Sequence, residues 1–472
     1  MAGMSVSTGL VSGIDYDTMI TQLMQVEANP QTLLKQQLSA TTADATAYRA
    51  VNTRFDALRT AAAALTDATT WNATKTSSSS TNVTTAAGTT AVAGTGVTFA
   101  VTQLAGTHSL VSGTGWSSKT APARDQDPVW PITIKNTETG TSTSIDVGAT
   151  GTLTDAAAAI NAANAGVKAS VIQLGKDQFR LQITATTTGA AGAFEVISSP
   201  KPGGGTPTEF LTTDQGQNAV LTLGGGLTAT SSTNTFTDLV PGVTITAAKA
   251  DPSTSITVAV AADPSAVAAK VQSLVDAANG LLGAVSSYTD SDSKSAILKG
   301  DNTLRDLSNQ ILSVISGAIG GKSAATVGIQ LTRDGTLTFD KDVFTAKLAA
   351  EPATVQKMFT EKAVKSTGAD GISGNADDVT TPVGLAAKLE VLAKGASDTT
   401  TGSLVLLAKS EDALAKDLTA RIEAWDTRLA LRKDTITRQF TAMETALSSM
   451  QNQASWLSSQ ISSLPSWSSS SK

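Results

Sequence analysis

Three stretches of this sequence carry residue types that could do chemistry. The first is His108, the single histidine. A Ser-His-Asp site needs a base that is neutral near pH 7, and histidine is the usual choice. His108 lies in Gln103 to Gly113, beside a predicted strand and without a glycine elbow. It reads as a surface or turn histidine, and with no second histidine a His-based metal site is excluded. The second stretch is Gly317-Ala-Ile-Gly-Gly321-Lys322-Ser323. A phosphate-binding loop wants four residues between its first Gly and Gly-Lys-Ser, and it follows a buried strand. Here there are three, after a helical stripe of Ile311, Val314 and Ile315. Gly320-Gly321 therefore reads as a helix C-terminus. The third is Asp370, Asn375, Asp377 and Asp378 on a glycine-bearing loop. Calcium accepts such oxygens, but the spacing does not match the EF-hand loop and no bidentate Glu falls in place. It reads as a solvated turn. No catalytic residue, no cofactor and no metal is expected.

Bulk composition narrows the function further. There are 34 Lys and Arg against 40 Asp and Glu, with no basic block, which disfavours nucleic acid and anionic membranes. Cysteine is absent, which excludes thiolate metal sites, thiol catalysis and disulfides. It also suits a chain that must be unfolded and refolded. The N-terminal residues Met1 to Ile20 have no basic n-region before an apolar h-region, so no cleaved secretory signal is expected. No apolar run is long enough to span a bilayer.

The elements that remain are helices at both ends around β-rich modules. The last helix, Ile436 to Leu464, repeats apolar residues at alternating spacings of four and three: Ile436, Phe440, Met443, Leu447, Met450, Ala454, Leu457, Ile461, Leu464. This is a heptad seam that needs a partner helix. At the other end Met19, Ile20, Leu23 and Met24 share one side of a first helix, and a second starts at Asn29-Pro30. Its stripe is Leu34, Leu38, Thr41, Ala45, Tyr48, Val51, Phe55, Leu58, Ala62 and Leu65. Tyr48 to Leu65 is the expected partner of the C-terminal seam, but only up to a point: the start of Ile436–Leu464 packs within the chain, and its end, extended by Ile461 and Leu464, is left for another surface. Trp456 and Trp467 lie off that seam, for burial in an assembly or for a local contact. Met443, Met450 and Phe440 at this spacing read as packing before they read as a promiscuous groove. Arg421, Arg428, Arg432, Lys433 and Arg438 form a solvated face or reach Glu27, Asp44 or Asp56 across helices.

Between the ends, period-two alternation predicts strands at 97–101, 132–134, 145–147, 167–174, 179–183, 194–197, 221–223, 243–245 and 256–260. One short helix interrupts them, with Thr154 as N-cap and Gly166 as its end. Pro200 to Pro207 reads as a loop. Asp263-Pro264 marks the return of helix, and Gly328 to Asp340 reads as a hairpin about Asp334-Gly335. A helix broken at Pro352 follows, then a polar loop at Ser366 to Pro382, then helix from Val383 to Leu464 with a pause at Gly395 to Gly402. The predicted class is α+β multidomain. Long N- and C-terminal helices form a coiled-coil-like stem, a helical module carries a β-hairpin, and β-rich domains are inserted. The expected segments are 1–45, 46–73 (pairing with 263–435), 74–112, 113–236 (an inserted domain, outermost in the architecture and the inner piece in chain order), 237–262, 263–435 and 436–472.

Four stretches resemble the flagellar filament-capping proteins, the flagellar hook-associated protein 2 family. They are Ser7-Thr-Gly-Leu-Val-Ser-Gly-Ile-Asp15 with Ile20-Thr-Gln-Leu-Met24, Glu27 and Pro30; Phe99-Ala-Val-Thr-Gln-Leu-Ala105; Asp263 to Asp276 with Gly328 to Leu337; and Arg438-Gln-Phe440, Met443-Glu444 and Met450-Gln-Asn-Gln453. The resemblance implies export by the flagellar secretion apparatus, with its chaperone, and a place outside the cell at the filament tip. It implies a ring-shaped homo-oligomer with β domains as head and terminal helices (1–45 and 436–472) as legs. Flagellin subunits would fold and insert beneath it, without bond chemistry. The legs' interface to filament or neighbours would use the seam residues Ile20, Leu23, Leu34, Leu38, Tyr48, Phe55, Ile436, Phe440, Met443, Leu447, Met450, Leu457, Ile461 and Leu464. Two rival readings are another axial flagellar protein, and an adhesin whose Thr-rich β modules bind host mucin or glycan. An enzyme centred on Lys322 is a third.

Overall fold

The computed structural model describes residues 15–124, 127–201, 204, 209–319, 321–366 and 379–463. The acidic loop Asp370 to Asp378, Leu464, Trp467 and the resemblance's first stretch before Asp15 lie outside them. The chain forms two compact units, one of Met1–Asp67 with Ala268–Lys472 and one of Ala68–Val267.

Helix α1 (Tyr16–Glu27) is capped by Asp15, whose carboxylate accepts the Thr18 amide at 3.0 Å. Helix α2 (Asn29–Thr66) carries Pro in its first turn, where a missing N–H costs nothing. Its inner stripe of Val51, Phe55, Leu58, Ala62 and Leu65 is wholly buried.

The second unit begins with a single turn, α3 (Ala68–Trp71), and strands β1 (Thr74–Ser78), β2 (Val83–Ala87), β3 (Gly96–Gln103), β4 (Thr107–Ser112), β5 (Ile132–Asn136) and β6 (Ser142–Ile145). Helix α4 (Leu153–Ala162) follows, then β7 (Val167–Gly175), β8 (Gln178–Thr188), β9 (Phe194–Ser198), β10 (Phe210–Asp214), β11 (Ala219–Leu223), β12 (Thr228–Ser231), β13 (Thr235–Val240), β14 (Val243–Ala247) and β15 (Asp251–Ala262). They build four antiparallel sheets, ordered β1-β15-β3-β11-β12, β10-β4-β8-β7, β13-β14-β2 and β6-β5-β9. Two cores result. The outer one gathers Phe99, Val101, Leu221, Phe236, Ile245, Ile256 and Val258. The inner one gathers Trp116, Ile132, Leu153, Ile160, Leu181 and Ile183. Ala219 and Leu221, which the sequence groups with the inner piece, sit in the outer core because β11 pairs with β3.

Several local expectations change. The cap of α4 is Thr152 and not Thr154: the Thr152 hydroxyl accepts the Asp155 amide at 3.2 Å while the Asp155 carboxylate accepts the Thr152 amide at 2.9 Å. That reciprocal pair satisfies two free amides at once, and it draws Leu153 into the helix and the core. Six strands lie outside the expected set: β1, β2 and β12 are largely Thr, Ser and Ala, and β4, β10 and β13 carry adjacent apolar residues among polar ones without a clear period of two.

The first unit resumes with α5 (Pro264–Thr289), capped by Asp263. Then come α6 (Asn302–Ser316), the hairpin β16 (Ile329–Leu331) and β17 (Leu337–Phe339), α7 (Lys341–Ala350), α8 (Pro352–Thr360), a second hairpin β18 (Lys362–Ser366) and β19 (Val379–Pro382), α9 (Leu385–Ser397) and α10 (Ser403–Ser462). The ends of the expected 366–382 loop thus pair as strands. The Asn279 carboxamide on α5 bonds both backbone groups of Leu337, at 2.7 and 2.8 Å, and pins the first hairpin. Helix α10 runs unbroken through 60 residues, with no pause at 435/436.

Helices α2 and α10 pair antiparallel. Gln31 meets Asp426 and Arg49 meets Asp412, and at the end of α1 Glu27 meets Arg432, so each step up the N-terminal helices is a step down α10. This register overturns the expected pairing of Tyr48–Leu65 with the C-terminal seam. Tyr48 instead donates its hydroxyl to Asp301, the cap of α6, at 2.6 Å. Asp44, one turn before Tyr48, has its carboxyl pushed up by burial first and by Asp301 second. Glu411 on α10 is likewise pushed up by burial and then by Asp44.

Phe55→Ala removes a ring with no solvent exposure and should destabilise the helical unit by roughly 3–5 kcal/mol. Thermal unfolding followed by helical circular dichroism reads this, with the β transition unmoved. Asp44→Asn tests the acidic cluster. A raised carboxyl pKa means the folded state holds the proton more tightly, so its stabilising effect is present at low pH and is lost as pH rises through that pKa. The substitution should raise the melting midpoint at pH 7, and the gain should shrink at pH 4.

Candidate assembly surface

The surface is built where α1 meets the middle of α10. Tyr16 and Ile20 are buried on α1 and Ile436 is buried on α10, and the Phe440 ring stands 4.9 Å from that of Tyr16. The Asp15 carboxyl that caps α1 is held below the usual carboxylate range, by the Thr18 hydroxyl first and by the Thr18 amide next. At the far end of α1, Arg432 reaches Glu27 at 2.9 Å. The remaining arginines make local contacts. Arg438 pairs with Asp434 one turn back, Arg421 with Asp417 at 3.8 Å, and Arg428 lies 4.7 Å over the Trp425 ring. Of the arginines in that face, Arg432 makes the interhelical ion pair. Asp56 turns to Arg59 on its own helix.

Beyond Phe440 the seam continues without cover. Met443, Met450, Leu457 and Ile461 are exposed, the last three by 54% to 64%, against 4% for Ile436. Leu447 is half-buried and Ala454 exposed. Trp456, off the stripe, is 63% exposed. The polar side chains of Thr445, Ser448, Asn452 and Gln453 border it. On α1, Leu23 lies outward with Met19 and Val26. Leu34 and Leu38 on α2 are half-buried.

The fourteen seam residues thus part into groups. Ile20 and Ile436 are buried and Phe440 lies against Tyr16, while Leu34 and Leu38 are half-buried on α2. Tyr48 and Phe55 belong to the core of the helical unit and present no surface, because the antiparallel register carries them to the other end of α10. Met443, Leu447, Met450, Leu457 and Ile461 follow one another on the uncovered stretch, with Leu23 on the outer side of α1. Leu464 lies outside the described residues. The sequence reading passed over Val26 and Leu33, both exposed. Their signal was present: α1 and the start of α2 carry more apolar residues than one contact stripe uses.

Other candidates resolve away from chemistry. His108 is 6% exposed, not at the surface. Its Nδ1 accepts the Gly216 amide at 3.2 Å and its ring stands edge-on to Phe194. The β4 strand places it indoors, and no glycine-rich turn was needed to do so. Helix α6 ends at Ser316 with Gly317 as cap, earlier than Gly320-Gly321, of which Gly320 lies outside the described residues. Lys322 stands 3.7 Å from Glu351. Among the described residues, no three His, Cys, Asp or Glu could hold a metal ion, and no helix is long and apolar enough to cross a membrane.

Comparison with known proteins places the chain among its relatives. The family model for the C-terminus of flagellar hook-associated protein 2 matches residues 216–452. The model for its N-terminus matches 12–108, and a flagellin hook IN motif matches 131–187. Flagellar hook-associated protein 2 of Escherichia coli K12 is 28% identical over 489 aligned positions, covering 98% of each chain. The lateral flagellar hook-associated protein 2 of Vibrio parahaemolyticus is 31% identical over 221 residues, 44% of this chain and 49% of that protein. The D1-D2-D3 domains of the E. coli flagellar cap protein FliD share the fold, with a TM-score of 0.57, 24% identity, and coverage of 78% of this chain and 99% of that one.

A paired substitution checks the division of the seam. Ile436→Asp buries an unpaired carboxylate, at a cost of several kcal/mol, and should loosen α1, seen as faster amide exchange over Tyr16–Glu27. Leu457→Asp is exposed and should change stability by less than about 0.5 kcal/mol. Equal loss in both would contradict the division.

Proposed function

The chain belongs to the flagellar hook-associated protein 2 family, and on that footing we propose that it is a flagellar filament cap. It works as an extracellular, non-enzymatic assembly factor at the distal tip of the bacterial flagellum. Copies of the chain associate in a ring, and exported flagellin subunits fold and insert beneath it. The observation that carries this reading is the uncovered half of the α10 seam. An apolar stripe on a helix gains stability only when another surface removes it from water. A contiguous exposed stripe of this kind marks a binding surface.

The same stripe explains how such a cap could hold and still shift. Its residues are Met, Leu, Ala and Ile among Ser, Gln and Thr. Methionine adapts to irregular partners, and no buried charge pair fixes a single register. A surface of this type tolerates a partner that presents itself in several positions. The flagellin hook IN motif in the inner β module supports a link with flagellin as a partner. The export chaperone of the flagellar secretion system is a further partner on this reading, binding the chain before it leaves the cell.

The test is complementation of cells that lack their own cap protein. The full chain should restore swimming. A chain lacking residues 443–472 should keep both thermal transitions, yet leave cells non-motile with monomeric flagellin shed into the medium. Filaments of normal length from the truncated chain would overturn the reading.

A further inference from the structure

The four-stranded sheet of the inner β module ends in two edges of different character. One is β10, bonded to β4 on a single side, with four of its five residues exposed. The other is β7, bonded to β8. An open edge is a row of unpaired backbone donors and acceptors, ready to take another strand. Part of the β7 edge is already closed. The Asn161 carboxamide on α4 bonds both the amide and the carbonyl of Ala169, at 2.8 and 2.9 Å. From Val171 to Gly175 the side chain that reaches the backbone is that of Gln173, an exposed residue of the strand itself. The open part of β7 is therefore five residues long, the length of β10.

We propose that a second copy of this chain extends this sheet, the β10 edge of one molecule adding antiparallel to the 171–175 edge of the next. The direction follows from the topology. Each neighbouring pair in the order β10-β4-β8-β7 is antiparallel, so β10 and β7 run opposite ways and identical sheets set side by side meet antiparallel. The face follows too. Phe210 and Val171 pack on the inner core, so Leu211 and Leu174 both take the other face. One register then does two things at once. It sets Leu211, 58% exposed, opposite Leu174, 60% exposed, and it brings Glu209, just before β10, to the side of Lys176, in the turn after β7. Neither of these charges has an ion pair among the described residues, and both are exposed. Opposite charges and apolar pairs directly across strands stabilise pairing. The contact joins unlike patches, so repetition closes a ring when its rotation closes. The proposal rests on the self-assembly stated above and names a surface for it.

Absence of cysteine makes the test clean. The full chain carrying Leu211→Cys and Leu174→Cys together is oxidised at concentrations where it self-associates, then run without reductant. Within one molecule the two positions are three strand spacings apart, about 14 Å, beyond the roughly 7 Å between Cα atoms that a disulfide allows. A ladder of cross-linked multimers is therefore expected from the double variant, and no ladder from either single one. Glu209→Lys should lower the cross-linking yield several-fold at low salt, and Lys176→Glu added to it should restore the yield. A double variant that sediments as an oligomer yet forms no disulfide would overturn the strand pairing while self-assembly stands. A chain that sediments as a monomer at every concentration would overturn both.

Discussion

The antiparallel pairing of α2 with α10 sets the terms for the rest of the helical unit. The two helices are unequal, 38 residues against 60, or about 57 and 90 Å at 1.5 Å per residue. With Arg49 facing Asp412 and Gln31 facing Asp426, α2 is used up near residue 430 of its partner. Helix α1 covers one further stretch, from Glu27 at Arg432 to Tyr16 by Phe440. The chain then has no described helix left to lay on residues 441–462. The exposed seam is a consequence of length and register together, since its apolar spacing is the same on both sides of Phe440.

That arrangement separates two kinds of apolar residue that look alike. Phe55 and Leu58 exclude water within the unit and contribute stability there. Leu457 and Ile461 contribute little to the chain by itself and are free to contribute to an assembly. Asp44 and Glu411 work against tight pairing at neutral pH, because burial first and a neighbouring carboxylate second disfavour their ionised forms. Asp398, at the turn before α10, acts the other way. Amides of Thr401 and Thr400 pull its carboxyl down to about 2, so it favours the fold at neutral pH.

The β unit manages its edges unevenly. Asn161 shields one point of β7, and the strands of the outer sheet present small hydroxylated side chains to solvent. Such faces are soluble without many charges, in keeping with a chain in which charged residues make up 16% of the whole.

Period and punctuation were legible directly. Asp334-Gly335 between alternating apolar residues placed the first hairpin, Asp263-Pro264 the return of helix, and Pro352 the break between α7 and α8. The nested order of helices around β modules, and the apolar spacing of both ends, also came from local pattern, because each depends on residues close in the chain. Strands of Thr and Ser such as β1 were illegible: their β character is supplied by neighbours such as Val258 and Val260 on β15, far away in sequence. Thr152 and Thr154 are equally good caps by type, and only the geometry of Asp155 separates them. His108 was placed outdoors on residue type, whereas the β4 pairing and the Gly216 amide enclose it. The seam of α10 shows the division most plainly. Sequence alone determined that an apolar stripe runs from Ile436 onward. That its start packs within the chain and its end is left over was also legible; where the change falls, and against which helix, was decided only by tertiary structure, because burial depends on where the partner helix ends, and that end is set by a register between residues about 400 positions apart.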